Sequence, residues 1–145
     1  MTVALLYEGP EDAEDVLVAW LAPLRDTAIV YKSGDPLPFT LVRVIGGTES
    51  ADCGYADTLV SVHTICDKQA GYVAARDACR ATHLRMLELS RYLDSVTLPA
   101  GPGASLDYLY VVEQPRWEPV GDDDNLIGKV ARYMAGVAYT NSPTP

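Results

Sequence analysis

Four residues carry the spacing of a metal site. His63, Cys66, Cys79 and His83 give His-x2-Cys-x12-Cys-x3-His, and imidazole with thiolate is a ligand set for tetrahedral zinc. The elements they fall on work against it. His63 and Cys66 are three apart on a predicted strand, so they point to opposite faces. Cys79 falls on the apolar stripe of a predicted helix, where a small hydrophobe is its ordinary role. Asp57, Ser61 and His63 share one strand face, as an acid, nucleophile and base would need. Neighbours at i, i+2 sit about 7 Å apart, so no direct Ser–His hydrogen bond is expected. The run Asp122-Asp123-Asp124 offers carboxylates to a hard cation. It lacks the glycine and glutamate of an EF-hand and reads as a solvated acidic loop. Neither Gly46-Gly47-Thr48 nor Gly101-Pro102-Gly103 leads into Lys-Ser/Thr or opens a helix as a phosphate cradle does, and no Gly-x-Ser-x-Gly is present. The chain is therefore not read as an enzyme, and no catalytic residue, metal ligand or cofactor is expected.

The elements that would position these residues follow from periodicity. Residues 11–24 predict a helix. Gly9-Pro10 suits its start, and Glu11, Asp12, Glu14 and Asp15 sit where the helix dipole favours anions. Ala13, Val16, Leu17, Trp20, Leu21 and Leu24 form one apolar stripe. Pro23 interrupts the regular hydrogen bonding near its end. Strands are predicted at 28–32, 39–45, 57–66, 108–114 and 130–140. The stretch 46–56 reads as a small polar loop, and 115–128 as a long loop carrying Trp117. Asp67 suits the N-cap of a long helix over 67–96, closed by the Pro/Gly-rich segment 98–103. The order is α-β-β-β-α-β-β. It predicts a two-layer α+β domain over 1–140, a mixed sheet of four to five strands with both helices on one face. If the strands flanking the long helix are parallel neighbours, the crossover should be right-handed. Residues 141–145 read as a frayed tail.

The long helix carries two stripes. Tyr72, Ala75, Cys79, Thr82, Met86, Leu89, Leu93 and Val96 should lie on the sheet. The opposite stripe is Val73, Arg76, Arg80, Leu84, Leu87 and Arg91. Surface leucines are common and arginine stems cover apolar surface, which is one reading. The other is a subunit interface, where arginine and apolar anchors are enriched. Both stand at this point.

Composition sets the outer bounds. The chain has 145 residues, 48% of them hydrophobic, enough for one domain with its own core and too apolar for a disordered segment. No run approaches the length of a membrane span. The net charge is −9, from 11 Lys and Arg against 20 Asp and Glu. Gripping nucleic acid needs a basic surface, and anionic membranes are unsuited for the same reason. No secretory signal is read at the N-terminus. Three cysteines, Cys53, Cys66 and Cys79, make no disulfide framework and suit a reducing compartment. The middle of the chain gathers basic residues, Arg76, Arg80, Arg85 and Arg91 among them, while the ends carry acidic clusters. That asymmetry suits an acidic patch of one copy meeting a basic patch of the next.

The chain resembles the tail terminator proteins of long, non-contractile-tailed phages, notably those of actinobacteria. The resemblance rests on size, on element order and on three stretches: Leu37-Pro38-Phe39-Thr40-Leu41-Val42-Arg43-Val44-Ile45-Gly46-Gly47; Asp57-Thr58-Leu59-Val60-Ser61-Val62-His63; and Val112-Glu113-Gln114-Pro115-Arg116-Trp117 followed by an alternating terminal strand. It implies a hexameric ring that caps the tail tube, fixes tail length and presents the surface that joins the head. The implied partners are further copies of the chain, the tube protein and the head-tail connector. DNA would pass through without specific binding, and the protein would reside in the virion after assembly in the host cytoplasm. A head-tail connector or tail-completion role, or a generic acidic interaction module, are the alternatives. A closed ring needs two unlike patches on each subunit. Val73, Arg76, Arg80, Leu84, Leu87 and Arg91 are the expected subunit interface. Trp117, Asp122, Asp123 and Asp124 are the expected loop contacts, with a neighbour or with the lumen.

Overall fold

The computed structural model describes residues 7–10, 13–50, 55–93, 96–97, 103–104, 106–121 and 123–141. In chain order its elements are β1 (Tyr7–Pro10), α1 (Ala13–Leu21), β2 (Thr27–Ala28), β3 (Phe39–Ser50), β4 (Tyr55–Asp67), a 3-10 turn (Lys68–Ala70), α2 (Tyr72–Tyr92), β5 (Val96–Thr97), β6 (Gly103–Ala104), β7 (Leu106–Glu118) and β8 (Leu126–Asn141). The fold is α+β, with a mixed sheet and two helices.

Strand β8 organises the sheet. One of its edges pairs with β4, and β3 and then β2 follow outward. Its other edge pairs with β7 and, at the far end, with β1. Every pairing is antiparallel except the two-residue contact of β2 with β3. Strands β5 and β6 form a separate small ribbon. The main-sheet strands before and after α2, β4 and β7, are both antiparallel to β8, which lies between them; the β5–β6 ribbon intervenes in the chain. Strands β4 and β7 run parallel without being neighbours, so the adjacent-strand crossover rule has no object here.

Several expectations from the sequence are corrected. The segment expected as a loop over 46–56 is mostly strand, because β3 and β4 continue as one hairpin out to the Ser50–Tyr55 pair. The backbone ladder carries small polar residues as readily as apolar ones once a partner strand is in register. A bulge between Val44 and Gly46 shifts that register. Just beyond it Gly47 adopts φ +138°, and a Cβ there would meet the Asp57 carbonyl. The position therefore needs glycine. The expected loop over 115–128 shrinks from its front, since β7 runs through Pro115 and Trp117 to Glu118. Pro115 is tolerated because β7 lies at the edge of the sheet. Gly9-Pro10 ends a strand rather than opening the first helix. The strand expected at 28–32 is the short β2. The long helix is divided: Asp67 caps the 3-10 turn, accepting from the Gln69 amide at 2.9 Å, and Gly71 at φ 95° separates that turn from α2. Leu93, in the left-handed region, closes α2 with its amide on the Leu89 carbonyl. Asn141, expected in a tail, is the last residue of β8 and pairs with Tyr7. Residues 142–145 lie outside the described residues.

Both helices cover the same face of the sheet. The core joins Val16, Leu17 and Leu21 of α1, Met86 and Leu89 of α2, and Val42, Val60, Val62, Ala131, Tyr133 and Ala135 of the sheet. Each such aliphatic side chain, fully buried, contributes on the order of 1.5–3 kcal/mol. The helices are also fastened to each other. Trp20 Nε1 donates to the Arg85 carbonyl at 2.8 Å, and Arg85 Nε donates to the Trp20 carbonyl at 2.7 Å. The Arg85 guanidinium lies 4.1 Å above the indole. Arg25 donates to the Ala78 carbonyl at 3.0 Å and to the Thr82 hydroxyl at 2.5 Å. No described helix is long and apolar enough to cross a membrane.

Candidate functional site

The outer stripe of α2 is a surface. Its inner residues Ala75, Cys79, Thr82, Met86 and Leu89 are buried, which turns Val73, Arg76, Arg80, Leu84, Leu87 and Arg91 outward. Val73 is 62% exposed and Leu84 57%. Arg76 leans toward Asp77 at 3.7 Å, with both side chains mostly in solvent, a pair of small energetic value. Arg91 lies 5.4 Å over the exposed Tyr92 ring.

This stripe does not end at the helix. Between α2 and β7 lies a groove of about 250 Å³ lined by Arg76, Cys79, Arg80, His83, Gln114, Pro115 and Lys129. Three cations, an imidazole and an amide converge there, and none of the lining residues is acidic. Arg80 and Lys129 make no ion pair among the described residues. Lys129 Nζ sits 5.0 Å over the Trp117 ring, and Trp117 meets Tyr72 edge-on at 5.2 Å. Trp117 and Tyr72 line a second cavity of about 260 Å³ with Pro119 and Leu126. Trp117 is thus carried by an edge strand beside the first turn of α2, and joins the helix patch rather than the acidic loop. At the floor of the groove His83 Nδ1 and the Tyr133 hydroxyl are 2.5 Å apart. Burial lowers the His83 pKa and raises that of Tyr133.

The other candidates scatter. His63 stands on the sheet face away from the helices, Cys66 and Cys79 are buried on the helix side, and His83 is committed to Tyr133. No group of three or more His, Cys, Asp or Glu suited to a metal ion occurs among the described residues. Burial raises both cysteine pKa values, keeping the thiols protonated. The expected absence of a Ser61–His63 contact is corrected: Ser61 Oγ and His63 Nε2 are 3.2 Å apart. Side chains lean along the strand and close the gap that the Cα spacing suggests. Ser61 is only 3% exposed. The His63 pKa is lowered chiefly by burial, with Arg43 and Arg132 adding to the effect and Glu118 opposing it. Asp123 and Asp124 are exposed on the turn before β8. Asp123 holds that turn, its carboxylate accepting from the Asn125 amide at 2.9 Å and its carbonyl from the Leu126 amide at 3.3 Å. Asp122 lies outside the described residues.

Sequence reasoning missed Tyr72, Gln114 and Lys129 as members of the patch. Tyr72 falls on the stripe expected to be buried, yet it is 58% exposed at the helix start. No sequence signal marks Lys129, which reaches the groove only because β8 pairs with β7. A second exposed region was also missed, at the opposite edge of the sheet. Ile29 and Val30, which follow β2, and Val44 and Ile45 of β3 are all exposed. The α1 residue Glu14 accepts from the Val44 amide at 3.2 Å. That contact places the acidic first turn of α1, with the exposed Asp15, beside this apolar strip.

No protein-family model matches the chain, and no curated protein matches it in sequence. Among solved structures the chain is similar to a chain from the virion of a native gene transfer agent particle. The TM-score is 0.50 at 19% identity, over 87% of this chain and 87% of that chain. At that identity the likeness is one of fold.

Proposed function

We propose that this chain is a structural, non-enzymatic subunit of a phage-like virion. More finely, we read it as a tail terminator that caps the tail tube as a hexameric ring, fixes tail length and offers the surface that joins the head. One observation carries the ring: two unlike exposed patches stand apart on the molecule. The outer side of α2, with the β7 edge beside it, presents Val73, Arg76, Arg80, Leu84, Leu87 and Trp117. The β2–β3 edge presents Ile29, Val30, Val44 and Ile45, with the acidic first turn of α1. A contact that joins unlike patches on neighbouring copies is heterologous, and it closes when the rotation between copies divides a full turn. The fold likeness to a virion chain supports the same reading. The charge of −9 suits a conduit that lets DNA pass without holding it.

Negative-stain electron microscopy of the concentrated protein, alone and mixed with tail tubes, tests this. Six-fold rings, free or seated on tube ends, are expected. Monomers that neither form rings nor bind tube ends would overturn it. Binding to an isolated head-tail connector and not to tubes would move the chain to a connector slot.

A further inference from the structure

We propose that the groove between α2 and β7 is a carboxylate-binding site, and that its occupant is the acidic first turn of α1, with Asp15 foremost, from a second copy of the chain. The inference rests on the ring reading and gives its interface a chemistry.

The groove gathers the Arg76 and Arg80 guanidinium groups, the Lys129 ammonium, the Gln114 amide and His83 around one cavity, with no carboxylate in its lining. Such a cluster is unusual on a chain of net charge −9. Cations held together repel one another unless an anion joins them. Arginine's planar fork suits a carboxylate. A nucleic acid or polyphosphate is the poorer occupant, because the surrounding surface would repel a long polyanion. An acidic segment from a second copy brings only local negative charge. The first turn of α1 fits on two counts. It carries Glu14 and Asp15, and Asp15 is exposed. It also stands beside Val44 and Ile45, whose exposed side chains match Trp117 and Tyr72 flanking the groove. Both kinds of surface, charged and apolar, are therefore paired across the two edges. The acidic loop at Asp123 and Asp124 fits less well. The Asp123 carboxylate already accepts from the Asn125 amide and holds its own turn.

A charge-swap series tests the assignment. The variants are Arg80→Glu, Asp15→Lys and the double Arg80→Glu/Asp15→Lys, with Asp15→Asn as a milder control on the helix start. Circular dichroism checks that each is folded, and mass photometry reads assembly against concentration. Each single reversal is expected to raise the concentration needed for ring formation by about tenfold or more, because like charges would then face each other. The double variant, in which the pair is restored with its signs exchanged, is expected to return to within about threefold of wild type. Folded singles that assemble at the wild-type concentration would overturn the site. So would a double variant no better than its singles. A wild-type protein that forms no ring, alone or on tubes, would fell the ring reading and this occupant with it. Normal rings with no charge-swap rescue would fell only the occupant.

Discussion

The two faces of α2 share one backbone and do opposite work. The inner face, Ala75, Cys79, Thr82, Met86 and Leu89, is buried against the sheet. The outer face, Val73, Arg76, Arg80, Leu84, Leu87 and Arg91, touches little of its own molecule. Burial on one face holds the domain together. The apolar side chains on the other add nothing comparable to the monomer, because their surface stays in water. Leu84 and Leu87 stand exposed, where the subunit interface proposed above would cover them. The groove sharpens the contrast, since its cations sit at the border between the two faces.

Substitutions should separate the faces by size and kind of effect. Met86→Ala removes a fully buried side chain from the core and should cost about 2–5 kcal/mol, read as a lower denaturant midpoint. A cost under about 0.5 kcal/mol would mean that the inner face is not core. Tyr133→Phe keeps the ring and removes the hydroxyl that meets His83. It should cost about 0.5–1.5 kcal/mol, and His83 should then titrate differently by NMR.

Acid should act in the same direction as these substitutions, with a smaller effect. His63 and His83 both titrate below the ordinary imidazole value of 6.5 in the fold. The unfolded chain therefore binds more protons between the lowered pKa and 6.5, and stability must fall as pH drops through that window. The melting temperature is expected to decline from pH 7 to pH 5, before most carboxylates titrate. A His63→Gln/His83→Gln variant should flatten that slope, and an unchanged slope would remove the histidines as its cause.

The smallest stability effect belongs to the outer face. Leu84→Ser and Leu87→Ser should change monomer stability by less than about 0.5 kcal/mol while weakening assembly. If they unfold the monomer instead, the two faces are not distinct.

How much of this was legible depended on the range of the interactions. The two stripes of α2 are legible over its middle turns, because a helix sets its faces from within and period 3.6 leaves its trace in any run of side chains; at the ends the expected inner stripe fails, since Tyr72 is exposed and Val96 belongs to β5. The α1 stripe was plain for the same reason, apart from Leu24, which falls after the helix ends at Leu21. Strands were harder, because the partner supplies the hydrogen bonds. Residues 46–50 look like a loop until β4 stands opposite them. Likewise β7 carries its proline because it is an edge strand, and edge position is not written locally.

The same division separates the candidate residues. By itself the sequence determined the α+β class, the buried and outward faces of the long helix, and the acidic balance, since each follows from local periodicity or plain summation. Only the tertiary structure decided that Trp117, Tyr72 and Lys129 join Arg76 and Arg80, and that Ser61 meets His63 out of solvent. It also decided that an acidic, apolar strip lies across the sheet from a basic, aromatic groove. Those juxtapositions depend on strand order and register, which arise from pairing between distant segments and leave no periodic mark on either one.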